Sequence, residues 1–204
     1  MRGAARGVLR GDAFFAAIEP YRAIFAVALP PDFAGAARAT PPGTARDETT
    51  TTTTTRDDAA CAKCWGVSAS NAYLNLASAR GVVMIRGDSR ASPPTTALAR
   101  ALLGGRGDAG TIPGGVLLTP TVHEDARKVS VEDAEFIAQA LRAHDARLRD
   151  VPFGWWDGPL AESWRAPPED DDETERAKPA AAKVARARLA SFLEQTQGAL
   201  NTFG

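Results

Sequence analysis

The chain has 204 residues, 44% of them hydrophobic and 24% charged, which suits one domain with appendages and a sizeable core. Its formal net charge of −1 gives no electrostatic footprint for nucleic acid, and two cysteines do not make a disulfide-stapled secreted domain. No apolar run is long enough to span a bilayer, because the stretch over residues 14–29 is broken by Glu19, Pro20 and Arg22.

The expected location is cytoplasmic. Arg2, Arg6 and Arg10 precede or flank the first acid, Asp12, and give a mitochondrial or plastid alternative. Asp12 is placed to cap a short helix carrying Phe14, Phe15 and Ile18, which Pro20 stops. Residues 23–29 then read as the first strand, ended by Pro30 and Pro31. Residues 1–34 therefore hold an N-terminal helix and the first strand of the core.

Residues 35–60 read as a disordered, threonine-rich loop. The tract over residues 49–55 is all threonine and offers no apolar stripe whose burial would offset ordering entropy. Limited proteolysis is expected to cut there first. Residues 61–165 read as the α/β core. Ser68 or Ser70 is placed to cap a helix carrying Ala72, Tyr73, Leu76 and Ala79, which Gly81 ends. Residues 82–86, with Val82, Val83 and Ile85, form a β-branched run suited to a buried strand. Ser92, Pro93 and Pro94 open a helix with Leu98, Ala101 and Leu102 on its apolar stripe, and Gly104 and Gly105 end it. Residues 115–119 form the next strand. Ser130 and Asp133 have capping-box spacing for the longest core helix, which carries Phe136, Ile137, Leu141, His144 and Leu148 and stops before Pro152.

Strands alternating with helices, with continuous rather than alternating apolar runs, predict an α/β three-layer sandwich with a short, mostly parallel sheet. The aromatic segment around Phe153, Trp155, Trp156 and Trp164 is followed by an acidic linker over residues 166–179. Residues 180–204 form an amphipathic C-terminal helix, with Leu189 and Phe192 on its apolar face. That helix either docks back on the domain or reaches a partner on its acidic tether. As an appendage, its removal after Trp164 is expected to leave a folded core.

Three constellations bear on chemistry. In open parallel sheets, ligands bind beyond the carboxyl ends of the strands. There Asp88, Ser89, His123 and Glu124 supply a base, an orienting carboxylate and a nucleophile for a small hydrolase or transferase. No G-x-S-x-G or phosphate-loop sequence accompanies them. Second, Cys61-x-x-Cys64 has the spacing of a thiol redox pair. Ile112-Pro113 ahead of a strand resembles the proline loop of thioredoxin-like folds, but Trp65 follows the pair rather than leading it. Structural zinc would need two more ligands, and only His123 and His144 remain among the strong ones; no metal and no cofactor are expected. Third, Trp155, Trp156, Trp164, Leu189 and Phe192 are residue types that anchor interfaces. The leading expectation is a non-catalytic interaction or assembly protein with a protein partner. The alternatives are the strand-tip enzyme and a thiol oxidoreductase.

Overall fold

The computed structural model describes residues 7–30, 33, 64–84, 93–104, 112–121, 129–159 and 180–201. The expected threonine-rich loop and the acidic run lie outside these residues. In chain order the elements are β1 (Leu9–Arg10), α1 (Gly11–Ala17), β2 (Ile24–Leu29), β3 (Cys64–Ser70), β4 (Ala77–Met84), α2 (Thr95–Leu103), β5 (Gly115–Pro120), α3 (Val131–His144), β6 (Phe153–Trp155) and α4 (Ala180–Asn201). No helix among the described residues is long and apolar enough to cross a membrane.

The six strands form one mostly parallel sheet in the order β1-β6-β5-β2-β3-β4. The pairs β1–β6, β6–β5 and β5–β2 are parallel, whereas β3 runs antiparallel to both of its neighbours. β4 therefore points the same way as β2. The three layers follow from the strand pleat. Val27, Leu29, Trp65, Val67, Val116 and Leu118 face α2 and α3, where Leu98, Leu102, Ile137 and Leu141 complete one core. Ile24, Ala26 and Leu117 face the other way, against Phe14 of α1 and Leu189, Phe192 and Leu193 of α4. β2 is apolar throughout because both of its faces are covered.

The second layer packs close because the sheet offers small residues to it. Gly66 on β3 pairs with Ala28 on β2, and Ala28 pairs with Thr119 on β5. The Ala181 carbonyl of α4 occupies the position that a Cβ on Gly66 would take. Ala182 packs in the same place against Ala79 and Val82 of β4. Near the other edge, the Phe14 ring lies on Gly154 and Gly115, and a Cβ on Gly154 would overlap it. Of the two positions open to the terminal helix, it occupies the docked one and forms the outer layer with α1.

Several sequence expectations meet the structure directly. α3 begins with a full capping box: the Ser130 hydroxyl accepts from the Asp133 N–H, and the Asp133 carboxylate accepts from the Ser130 N–H at 3.0 Å. α2 ends at Gly104, whose φ of 78° a side chain would disfavour. Its N-cap is Pro94 rather than Ser92, and α1 is capped at Arg10, with Asp12 inside the first turn. α3 ends at His144, followed by a short 3-10 turn, Ala146–Leu148, that buries Leu148; His144 itself is exposed.

One expectation is overturned. The helix expected over residues 70–80 is a hairpin, with β3 turning into β4. Asn71 builds the turn. Its side-chain carbonyl accepts from the Asn75 and Leu76 N–H groups, and its backbone N–H donates to Leu76 O at 3.0 Å. Side chains of this type compete with helix by bonding nearby backbone. The residues meant for a buried helical stripe, Tyr73 and Leu76, are 77% and 68% exposed. The strand expected at 82–86 coincides over residues 82–84 with the second half of β4, and residues 85 and 86 lie outside the described residues. Three strands, β1, β3 and β6, were not anticipated at all.

Candidate functional site

The strand tips come first. β2, β4 and β5 all end on the same side of the sheet. Leu29 pairs with Pro120 there, and Met84 pairs with Cys64 at the same end. The Thr121 hydroxyl donates to Leu29 O at 2.8 Å, tying the ends of β5 and β2 together. Asp88, Ser89, His123 and Glu124 follow these strands in sequence and lie outside the described residues. The strand order separates their starting points: β3 and β2 stand between β4 and β5, a distance of about 14 Å at ordinary strand spacing. What is described at this end is aromatic filling. Phe33 meets Trp65 edge-on at a centroid distance of 4.9 Å and stacks on Phe136 at 6.3 Å. The Trp65 indole N–H is buried there without an acceptor among the described residues.

Cys64 starts a strand and is not at a helix N-terminus, where a thiolate would be favoured. It is buried and disulfide-bonded. The chain's other cysteine, Cys61, lies outside the described residues. Pro113 precedes β5 at the end where Gly115 pairs with Ile24, the opposite end of the sheet from Cys64. The arrangement that would make Ile112-Pro113 a partner of the cysteine pair is therefore not built. No cluster of metal-ligating side chains occurs among the described residues.

The residues expected to bind a partner through the aromatic segment and terminal helix are used inside the molecule. Leu189 and Phe192 have no exposure, and Trp155 and Trp156 are also buried. Trp155 belongs to the core under α2 and α3, and Trp156 meets Phe192 edge-on. Trp164 lies outside the described residues. The cause of this burial lies in the packing of α4. The strip from Trp156 to Pro159 is laid along α4 and held by it. The Arg188 guanidinium sits over the Trp156 ring at 5.6 Å and donates to Gly158 O, while the Gln195 amide donates to Pro159 O at 3.3 Å. Burial pulls the Arg188 guanidinium below its ordinary pKa, and the Asp157 carboxylate acts in the opposite direction. Arg188→Ala should lose the charge-assisted bond and the ring contact together, costing about 2–4 kcal/mol of stability by chemical denaturation. A change below about 0.5 kcal/mol would mean that the strip is not held this way.

The described surface does contain an open cleft, of about 200 Å³, between the edge strand β4 and α2. Val67 and Val83 form its floor, and Ala97 and Ala101 of α2 form its wall. Arg80 and Arg100 are the charged residues among its described lining, which includes no carboxylate, histidine or nucleophile. Local structure explains why Arg80 is there. The β3–β4 register slips between Val67 and Ser68, which pair with Gly81 and Ala79, leaving Arg80 as the extra residue of a bulge. A bulge bends the strand and re-aims the side chain it carries. Arg100 comes from the last turn of α2. Both arginines are exposed, and neither side chain has an ion pair or hydrogen bond to a described residue. The arrangement can hold an anionic group beside an apolar one. Sequence reasoning missed this pair, although a glycine inside an apolar strand, here Gly81, is the ordinary signal of a bulge.

Compared with known proteins, the chain matches no protein-family model and no curated relative.

Proposed function

We propose that the protein is a non-catalytic interaction protein, and that its contact site is the cleft between β4 and α2 rather than the aromatic segment and terminal helix. The observation that carries this reading is the pair Arg80 and Arg100, set in a cleft whose other described lining residues are apolar. Two cations so placed favour an acidic partner. The overall charge of −1 makes this a local feature and not a generally basic surface.

The test is charge reversal in the full chain. Arg80→Glu with Arg100→Glu should leave stability within about 0.5 kcal/mol, since both side chains are exposed and unpaired. Partner affinity should fall at least about tenfold and become less salt-sensitive. Quantitative co-purification of the two forms, followed by titration of the recovered partner, reads this out. An unchanged set of partners at unchanged affinity would sink the reading.

A second reading is a small hydrolase or transferase using Asp88, Ser89, His123 and Glu124. It is supported by β2, β4 and β5 ending on one side of the sheet. Turnover of simple ester or phosphoester substrates, abolished by Ser89→Ala or His123→Ala, would favour it over the binding role.

A further inference from the structure

β4 is the last strand of the sheet, and it is eight residues long. Its inner side pairs with β3 at every residue except the bulged Arg80, and no described backbone group bonds its outer side. An edge strand with free N–H and C=O groups is a template for another extended chain. Proteins usually blunt such edges, and the bulge at Arg80 does so here for the first half of β4. The second half, from Gly81 onward, is regularly paired with β3, and it is this half that borders the cleft.

We propose that the cleft receives an extended acidic segment of a partner protein, which adds to the sheet as a seventh strand along the second half of β4. The inference rests on the binding role proposed above and names its partner chemistry. The added strand makes backbone hydrogen bonds to the outer side of β4. Its side chains alternate, so every second one points toward α2. Those residues enter a cleft with an aliphatic floor and two guanidiniums at its margins. The recognised segment therefore carries acidic side chains for Arg80 and Arg100 and an aliphatic side chain over Val67 and Val83, on the same face of the strand. The cleft's modest size limits the contact to a few residues, so the backbone bonds are needed to hold the segment in register.

The experiment uses the intact protein and the dye-labelled heptapeptide Ser-Glu-Ser-Val-Ser-Glu-Ser, which puts its glutamates and valine on one face of an extended chain, followed by fluorescence anisotropy. A matched peptide has N-methyl groups on alternate backbone amides of one edge, and a third has them on the other edge. Octanoate, an anion with an apolar tail and no peptide backbone, is the competitor. The expected result is saturable binding of the parent peptide, weakened tenfold or more by N-methylation on one edge only. Arg80→Gln and Arg100→Gln should each weaken it several-fold, and octanoate should not displace it. If both N-methylated peptides bind like the parent while the arginine variants still weaken binding, strand addition is wrong and the acidic-partner reading survives. If the peptide fails to saturate below about 1 mM, or octanoate displaces it at equal concentration, both the strand addition and the acidic protein partner are overturned.

Discussion

A chain truncated after Trp164 is expected not to fold. The truncation removes α4, whose residues Ala182, Ala185, Leu189 and Phe192 have no solvent exposure. It also uncovers what they cover: Phe14, Ile24, Ala26, Leu117 and Trp156 on the sheet and α1 side. Each large side chain so exposed costs about 1.5–3 kcal/mol. The sum over both surfaces is on the order of 10 kcal/mol, comparable with the whole stability of a domain. The consequence is the reverse of what the sequence suggested, where an acidic tether and an amphipathic helix read as a detachable appendage. Far-ultraviolet circular dichroism with a thermal melt decides the matter. A cooperative transition in the truncated chain would show that the α2 and α3 layer holds the sheet on its own.

Gly66→Val should be the most damaging single substitution on the same interface. The space is taken by the Ala181 carbonyl, which is backbone, so no side-chain rotation can make room. α4 would have to lift off β3 and β4, carrying Ala182 away from Ala79 and Val82. Overpacking of cores costs about 1–3 kcal/mol where side chains can yield, and a loss of at least about 3 kcal/mol is expected here. Valine suits strands in general, so propensity predicts the opposite sign. Ser78→Val on the exposed side of β4 serves as the control and should change stability by less than about 0.5 kcal/mol. Equal effects of the two substitutions in chemical denaturation would remove the close helix-to-sheet approach as the cause.

The same close approach explains what was legible in the sequence and what was not. β2 and β5 announce themselves because large β-branched and aliphatic residues fill both faces, and α3 announces itself through Ser130 and Asp133. β3 does not, because its face toward α4 must be small. Gly66, Ser68 and Ser70 alternate with Trp65, Val67 and Ala69, and the serines invite a reading as helix caps. Ser70 is in fact tied to the sheet, its hydroxyl accepting from the Ile24 N–H at 2.9 Å. β6 spans three residues, too few to show any period, and its central Gly154 exists to admit the Phe14 ring. The cleft was hidden for a different reason. Arg80 and Arg100 come from separate elements, and only the bulge and the packing of α2 on the sheet bring them to one surface.

The contact between Phe14 and Phe192, with ring centroids 5.7 Å apart, has a consequence for how the chain reaches its native state. One partner belongs to the first helix and the other to the last. β1 likewise finds its place only by pairing with β6. Neither segment can be satisfied before the later elements are made, so Phe14, Ile24 and Leu117 stay uncovered until α4 has left the ribosome. Loop closure over nearly the whole chain must precede the stabilising contacts, which slows folding and prolongs the exposure of apolar surface. Folding of this protein therefore waits for the synthesis of α4, and until then its nascent form carries uncovered apolar surface.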